Sequence, residues 1–379
     1  MHQILLYPVG NGDSSQIILE NGKRILFDYR HLKKGEGDDS PEFDLKGRLK
    51  KELDDAKRDY FDVVGFTHCD SDHIENSTEF FELHYAQKYQ GDGRIKINEL
   101  WVPAAMIIET ATNGQQDSEF VIWRQEARYR LKKGEGIRVF SKPDKLKDWL
   151  EGEGLTVESR KHLITDAGSL VPGFDLQKDG IEFFCHSPFI RHTDEGDDLR
   201  NPCSLIFNVR LKAGTNTYDY LAVGDTEWEI IEEIVNTTRY HKNDDRLAWD
   251  IFNIPHHCSY KALSDEKGEK ETEPKPLVKD LLLQGKTDAY IVSSSNPIKD
   301  SKEALEQTQP PHIQAKKCYE RHLKEVNGAK FLVTMEEPNE KTPEPLVFNI
   351  ESNGIKRGAK KPVAAPAVSI TSAPALRAG

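Results

Sequence analysis

The chain has 379 residues, enough for one large α/β domain or two smaller ones. Charged residues make up 31% and hydrophobic ones 37%, and no apolar run approaches the ~20 residues of a membrane-spanning helix. The formal net charge of −12 argues against a surface built for bulk duplex DNA, although a basic groove or a bound metal can reverse the sign locally.

The first predicted strands cover 3–9 and 15–19, around a Gly10-Asn11-Gly12-Asp13 turn. The stretch from Met1 to Tyr7 lacks the basic region and long apolar core of a secretory leader and reads as a first strand. Asn21-Gly22 is a second tight turn, and strand Arg24 to Phe27 follows, ending at Asp28. Residues 31–59 are highly charged and predict an exposed loop and a helix. A buried strand over 61–66 comes next, then a loop to His73, then a helix from Ile74 to Leu83. Ile97 to Val102 is a further strand, and 115–165 reads as a charged helical insertion carrying Trp123, Arg124 and Tyr129. Strands follow at 180–185, 204–209 and 218–223, the last two as a hairpin around Gly214-Thr215-Asn216. A helix at 227–236 leads to strand 249–254 and then Pro255-His256-His257. A charged, Pro-containing loop at 264–276, a strand from Ala289 to Ser293 and a helix at 312–324 come last. One domain is predicted over 1–355, with 356–379, rich in Ala, Pro, Ser and Lys, as a disordered tail. Strands that end in ligand-type residues occur twice, which hints at two related halves.

The five cysteines, Cys69, Cys185, Cys203, Cys258 and Cys318, are scattered and odd in number. They form neither a disulfide framework nor a Cys-x-x-Cys zinc site, which points to a reducing, cytoplasmic setting. Cys69 and Cys258 lie in ligand-rich motifs, where small filler is the simpler role.

The densest chemistry is Thr67-His68-Cys69-Asp70-Ser71-Asp72-His73. Four residues able to bind metal stand at the mouth of a predicted strand, and imidazole and carboxylate groups are what hold Zn²⁺ or Mn²⁺. Alternation along an extended backbone would point His68, Asp70 and Asp72 to one side, and a turn could bring His73 round to them. The bland alternative is a helix cap by Ser71 or Asp72. Asp28 closes a strand, where a carboxylate can face a site or merely serve a turn. Asp225 follows Gly224, which lets the backbone turn sharply. A carboxylate bridging two metals fits there, and so does an N-cap for the helix at 227. In Pro255-His256-His257, adjacent imidazoles on an extended backbone point apart, so one would bind metal and the other contact substrate or serve a leaving group.

Taken together, strand-Asp28, His68-x-Asp70-x-Asp72-His73, Gly224-Asp225 and Pro255-His256-His257 occur in an order that resembles the metallo-β-lactamase superfamily. The resemblance covers roughly residues 1–350. It is similar more narrowly to the ComEC-type hydrolase branch, through Val9-Gly10-Asn11-Gly12-Asp13, Asn201-Pro202-Cys203-Ser204-Leu205, Pro255-His256-His257-Cys258-Ser259 and Ser293-Ser294-Ser295-Asn296 with Pro311-His312. The resemblance implies an α/β fold, an αββα sandwich, with the site at one edge where strand ends and loops meet. It also implies one or two Zn²⁺ ions. His68 and Asp70 would serve a first metal, Asp72, His73 and His257 a second, and Asp225 would bridge. Asp28 would orient a ligand histidine. Two positions depart from the superfamily pattern: Asp70 stands for a histidine, and Asn201 stands where another is expected. Both fall on the first metal, and oxygen donors there favour Mn²⁺ or Mg²⁺.

The leading expectation is metal-dependent hydrolysis of a phosphodiester in nucleic acid or a nucleotide. Asp72 and Asp225 would hold the nucleophile and His256 would serve the leaving group. A second expectation is hydrolysis of a small ester, lactone or amide. A third is a weakly catalytic metal-binding scaffold, with a protein partner docked on the helical insertion. No membrane association is expected.

Overall fold

A computed structural model describes residues 1–37, 42–91, 93–109, 118–195 and 199–358. The part of the predicted tail at 359–379 and the start of the predicted insertion at 115–117 lie outside the described residues. Fifteen strands are present among the described residues. Those of the first sheet that come early in the chain are β1 (His2–Leu6), β2 (Ser15–Ile18), β3 (Arg24–Phe27), β4 (Tyr60–Gly65), β5 (Lys96–Pro103), β6 (Ile137–Phe140) and β7 (Ile164–Thr165). The second sheet is built from β8 (Ile181–Ser187), β9 (Ile206–Ala213), β10 (Asn216–Val223), β11 (Trp249–Asn253), β12 (Gly285–Ser293) and β13 (Lys330–Val333). The chain then returns to the first sheet as β14 (Leu346–Glu351) and β15 (Gly354–Arg357).

The first sheet has the order β15-β14-β1-β2-β3-β4-β5-β6-β7 and the second β13-β12-β11-β10-β9-β8. Each begins antiparallel and turns parallel. The change falls at β3–β4 in the first sheet and at β10–β11 in the second. This shared pattern is the structural form of the two halves hinted at by the sequence.

Both sheets are covered on both faces, and period-two alternation decides which core each side chain enters. Ile4, Leu6, Ile25, Phe27, Val63 and Trp101 face inward and meet Phe183, Phe207, Val209, Tyr220 and Ile251 from the other sheet. The ring pairs Phe27–Phe207 at 5.6 Å and Trp101–Phe183 at 5.1 Å lock the layers together. The alternate residues Leu5, Tyr7, Leu26 and Val64 face outward, against helices Leu45–Asp55 and Ser118–Lys133. On the far side, Leu221, Phe252 and Ile291 pack under helices Trp228–Tyr240, Pro276–Leu282 and Ile313–Glu325. The result is the expected αββα sandwich.

Three expectations about elements change. The segment read as a helical insertion alternates helix and strand, because Ile137–Phe140 and Ile164–Thr165 extend the first sheet. Its apolar residues Phe120, Trp123, Ala127 and Leu131 belong to the main outer core. The helix from Ile74 to Leu83 is broken into single turns Ser71–Ile74 and Ser77–Phe80 by Asn76, whose φ is 61°. Lys356 and Arg357, assigned to the tail, are in β15, where Arg357 pairs with Phe348. Among the described residues no helix is long and apolar enough to cross a membrane.

Candidate metal centre

The predicted site residues gather at the carboxyl ends of β3, β4, β10 and β11, where each sheet changes from antiparallel to parallel pairing. Loops leaving neighbouring strands diverge at such points and open room for a ligand. Asp28 follows β3 at a φ of 55° and is buried. Its Oδ1 accepts from the Thr67 backbone N–H at 2.7 Å and its Oδ2 from the Thr67 hydroxyl at 2.6 Å. The same Oδ2 accepts from His73 Nδ1 at 2.9 Å, so the other ring nitrogen of His73 points into the site. There it lies 3.5 Å from Asp225 Oδ1. After Thr67 the chain coils into the helical turn Ser71–Ile74, which carries Asp72 and His73 inward. The His68 and His73 rings are 3.9 Å apart.

The second half supplies Asp225 and His257. Gly224, just before Asp225, is pressed against Thr67: a Cβ there would sit 2.7 Å from the Thr67 Cβ. Ser204 Oγ donates to the Asp225 carbonyl at 2.7 Å and pins the turn. His256, His257 and Cys258 have φ of 53°, 52° and 66°. Three successive non-glycine residues in left-handed backbone are strained, by about 1–2 kcal/mol each, and such strain collects at functional sites. The turn sends His257 inward. Its Nδ1 donates to the Ser294 carbonyl at 2.9 Å, and its Nε2 lies 3.2 Å from Asp72 Oδ2 and 3.3 Å from Asp225 Oδ2. His256 turns to the rim, its ring at 86° to that of His257, with Nε2 3.9 Å from Asp225 Oδ2. The backbone is left-handed and not extended, yet the two rings do diverge.

The capping alternatives find no bond. Asp70 and Asn76, not Ser71 or Asp72, precede the turns Ser71–Ile74 and Ser77–Phe80, both without a side-chain cap, and Glu227, not Asp225, stands before helix Trp228–Tyr240. Two expectations about ligands change. Asp70 lies outside both groups of converging donors: it stays in extended backbone, and one of its oxygens is drawn to Arg200, whose Nη1 lies 2.8 Å from Asp70 Oδ1. Its other oxygen is 3.5 Å from His68 Nε2. Asp13, read only as part of a turn, enters the site: its Oδ2 is 3.8 Å from His257 Nδ1. Asn253 Nδ2 donates to its Oδ1 at 3.3 Å, and Ser294 Oγ donates to Asn253 Oδ1 at 3.2 Å, so Asp13 and His257 share a scaffold. Asn201 has a buried Oδ1 with no protein partner and keeps its place as a candidate donor. His186 is remote: its Nε2 donates to the Arg246 carbonyl and its Nδ1 accepts from Thr238.

Charge is concentrated here. Burial opposes a charged His73, but the Asp28 and Asp225 carboxylates outweigh it and raise its pKa well above the usual histidine value. Burial likewise opposes charge on His257, and Asp225 and Asp72 overcome it. The Asp225 carboxyl is held well below its usual range by His257 and His73 in spite of burial. Burial lowers the pKa of His256, which leaves it neutral at pH 7.

Donor atoms of Asp13, His73, Asp225 and His257 all lie within 4.8 Å of one another, as do those of His68, Asp72 and His73. His68 Nε2, His73 Nε2 and Asp225 Oδ1 are buried without a hydrogen-bond partner. Buried polar atoms are rarely left so, and nitrogen and carboxylate oxygen are the donors Zn²⁺ takes. The donor set fits a divalent cation.

Fold and site together define an αββα protein with a buried histidine–aspartate centre at the shared rim of two sheets. No family model and no curated protein matches the chain. Among solved structures it is similar to the metallo-beta-lactamase fold protein YhfI from Bacillus subtilis, at 8% identity over 92% of this chain and 100% of that one, with a TM-score of 0.39. It is similar to Igni18, a metallo hydrolase from Ignicoccus hospitalis, at 14% identity over 93% and 100%, with a TM-score of 0.41. It is similar to unliganded yeast PDE1 at 10% identity over 88% and 97%, with a TM-score of 0.43. At such identities and scores these likenesses assign neither family nor substrate.

Proposed function

We propose that the chain is a metal-dependent hydrolase that cleaves a phosphodiester. The observation that carries the hydrolase reading is the convergence of His73, His257, Asp72 and Asp225 at the rim, with both imidazoles oriented from behind by Asp28 and by the Ser294 carbonyl. His73, His257, Asp72 and Asp225 would hold a divalent ion, which would supply Lewis acidity to make water nucleophilic near neutral pH and to offset charge on phosphoryl oxygens. Asp28 and Ser294 fix the tautomers of His73 and His257, so that each offers Nε2 to the site. Asp72 and Asp225 supply the negative charge that draws a cation into a buried place and orient the attacking water. His256, at the rim with Nε2 3.9 Å from Asp225 Oδ2, would take a proton from that water and pass it to the leaving oxygen.

The phosphodiester preference is supported by the sequence resemblance to the ComEC-type branch. The segments that carry it meet in space: Asn11 accepts from the Asn296 backbone N–H at 2.8 Å and donates to the Pro310 carbonyl at 2.8 Å. A cytoplasmic setting is part of the proposal, supported by five free cysteines.

The test is turnover of bis-p-nitrophenyl phosphate and single-stranded DNA with Zn²⁺ or Mn²⁺, beside a panel of esters, lactones and amides. Phosphodiester turnover is expected, lost with chelator. Asp225→Ala should lower it by more than the about 10–100-fold that loss of an outer partner costs. Turnover of the acyl panel alone would replace the substrate class. No turnover with metal bound would make the centre a scaffold.

A further inference from the structure

We infer that one water molecule is bound behind the metal centre, between the Tyr220 hydroxyl and the Asp13 carboxylate, and that through it Tyr220 holds Asp13 in place. The water stands apart from the metal. The role given to Tyr220 rests on the metal-centre reading above, in which Asp13 is a donor. A small cavity lies between the two sheets here. Ser15 and Phe27, paired across β2 and β3, line it from the first sheet, and Tyr220 of β10 and Asn253 of β11 from the second. Asp13, Asp28 and Thr67 line it from the site. The space open to the centre of a water-sized sphere is about 10 Å³, which is what one water needs.

A buried water also needs about two to four polar partners. Asp28 already accepts with both oxygens, from Thr67 and His73. Asn253 commits its amide to Asp13 and its oxygen to Ser294. Tyr220 is 1% exposed, and its hydroxyl lies near Ser15 without completing a hydrogen bond. A buried hydroxyl is rarely left so. Burial raises its pKa, Ser15 opposes the rise and the charges of Asp13 and Asp28 add to it, so the group keeps its proton and donates. Asp13 is the acceptor. Among the described residues its carboxylate takes one side-chain bond, from Asn253 at 3.3 Å, where a carboxylate has room for about four. That bond is long, and Asp13 stands in a loop ahead of β2, so a second hold on it matters. The water accepts from Tyr220 and donates to Asp13. Thr67 Oγ1, which gives its own proton to Asp28 at 2.6 Å and keeps lone pairs, can take the water's other proton. Tyr220 is thus a positioning residue: it acts on the centre through the water and Asp13.

The test is diffraction from crystals of the full chain, at a resolution that shows ordered waters, for wild type and Tyr220→Phe. The phenylalanine keeps the packing and removes only the donor. Wild type should show an ordered oxygen within hydrogen-bond distance of both Tyr220 Oη and Asp13, and the variant should lose it. Beside it, a competition titration with Zn²⁺ is run on wild type, Tyr220→Phe, Asp13→Ala and the double variant. Tyr220→Phe should weaken Zn²⁺ binding by about 10-fold, the low end of what loss of an outer partner costs. On the Asp13→Ala background it should cost nothing more, which a merely structural tyrosine would not show. An ordered oxygen missing from wild type, or one bonded to Tyr220 but not to Asp13, would overturn the inference. Losses that add in the double variant, or an unchanged affinity in Tyr220→Phe, would overturn the role given to Tyr220. If wild type binds no Zn²⁺, the metal-centre reading falls together with that role, while the density still decides the water.

Discussion

Asp28 shows how much of the centre depends on a residue that does not face it. Its two oxygens take three bonds, two from Thr67 and one from His73. Removal of such a partner costs metal affinity by about 10–100-fold in comparable sites. Asp28→Ala should therefore weaken Zn²⁺ binding by that factor in a competition titration with a chromophoric chelator. An unchanged affinity would mean that His73 is oriented by something else. At this scale the sequence was readable where chemistry is dense in a few positions. His68, Asp72 and His73 announce themselves by spacing, and Asp225 and His257 by their places after strands. Asp13 did not, because an aspartate after Gly10-Asn11-Gly12 is what any turn contains. Its neighbour His257 is 244 positions away by residue number, and only the fold joins them. Asp70 shows the limit of alternation: its backbone is extended, yet an ion pair with Arg200, 130 positions away, draws one of its oxygens aside.

Two turns aim the ligands, and both are tightly made. Gly224 has no room for a side chain, since a Cβ would lie 2.7 Å from the Thr67 Cβ and 2.8 Å from its hydroxyl. Gly224→Ala must push Thr67 away from Asp28. Overpacking of this kind costs about 1–3 kcal/mol, and here the displaced group supports His73. The variant should show a lower unfolding midpoint together with weaker Zn²⁺ binding, read by denaturant melts with and without metal. Lost stability with unchanged metal affinity would separate the turn from the centre. The strands around the ligand motifs were legible, as were helices Trp228–Tyr240 and Ile313–Glu325, while β13 and β14 were not read as strands. Nor were the short strands Ile137–Phe140 and Ile164–Thr165. A run of four residues or fewer beside charged helical segments has no period of its own, and only pairing makes these strands, Ile137–Phe140 with β5 and Ile164–Thr165 with β6.

The whole molecule repeats one device twice. Asp28 follows β3 and Asp225 follows β10, while His68–His73 follows β4 and His256–His257 follows β11. Each sheet delivers a carboxylate and then histidines at its change from antiparallel to parallel. The sequence hinted at this through its recurring strand-end ligands, but pairing direction is a property of the sheets and was hidden. Stability over the molecule should also report a histidine far from the site. His186 is buried, and burial lowers its pKa from 6.5 to about 4. It is neutral in the fold and takes up a proton on unfolding below pH 6.5. Its contribution is therefore complete above pH 6.5 and is lost as pH falls toward 4, with a slope of up to about 1.4 kcal/mol per pH unit. Denaturant melts between pH 7 and 4.5 should show His186→Gln losing less stability with acid than wild type. Parallel curves would mean that His186 titrates alike in both states.

The most direct measurement is anomalous diffraction at the zinc edge from crystals of the zinc-loaded protein. The account predicts a strong peak at about 2.0–2.2 Å from His73 Nε2, His257 Nε2 and at least one oxygen of Asp72 or Asp225. Zinc bound elsewhere, with His257 Nε2 still 3.2 Å from Asp72 Oδ2 and 3.3 Å from Asp225 Oδ2, would contradict it.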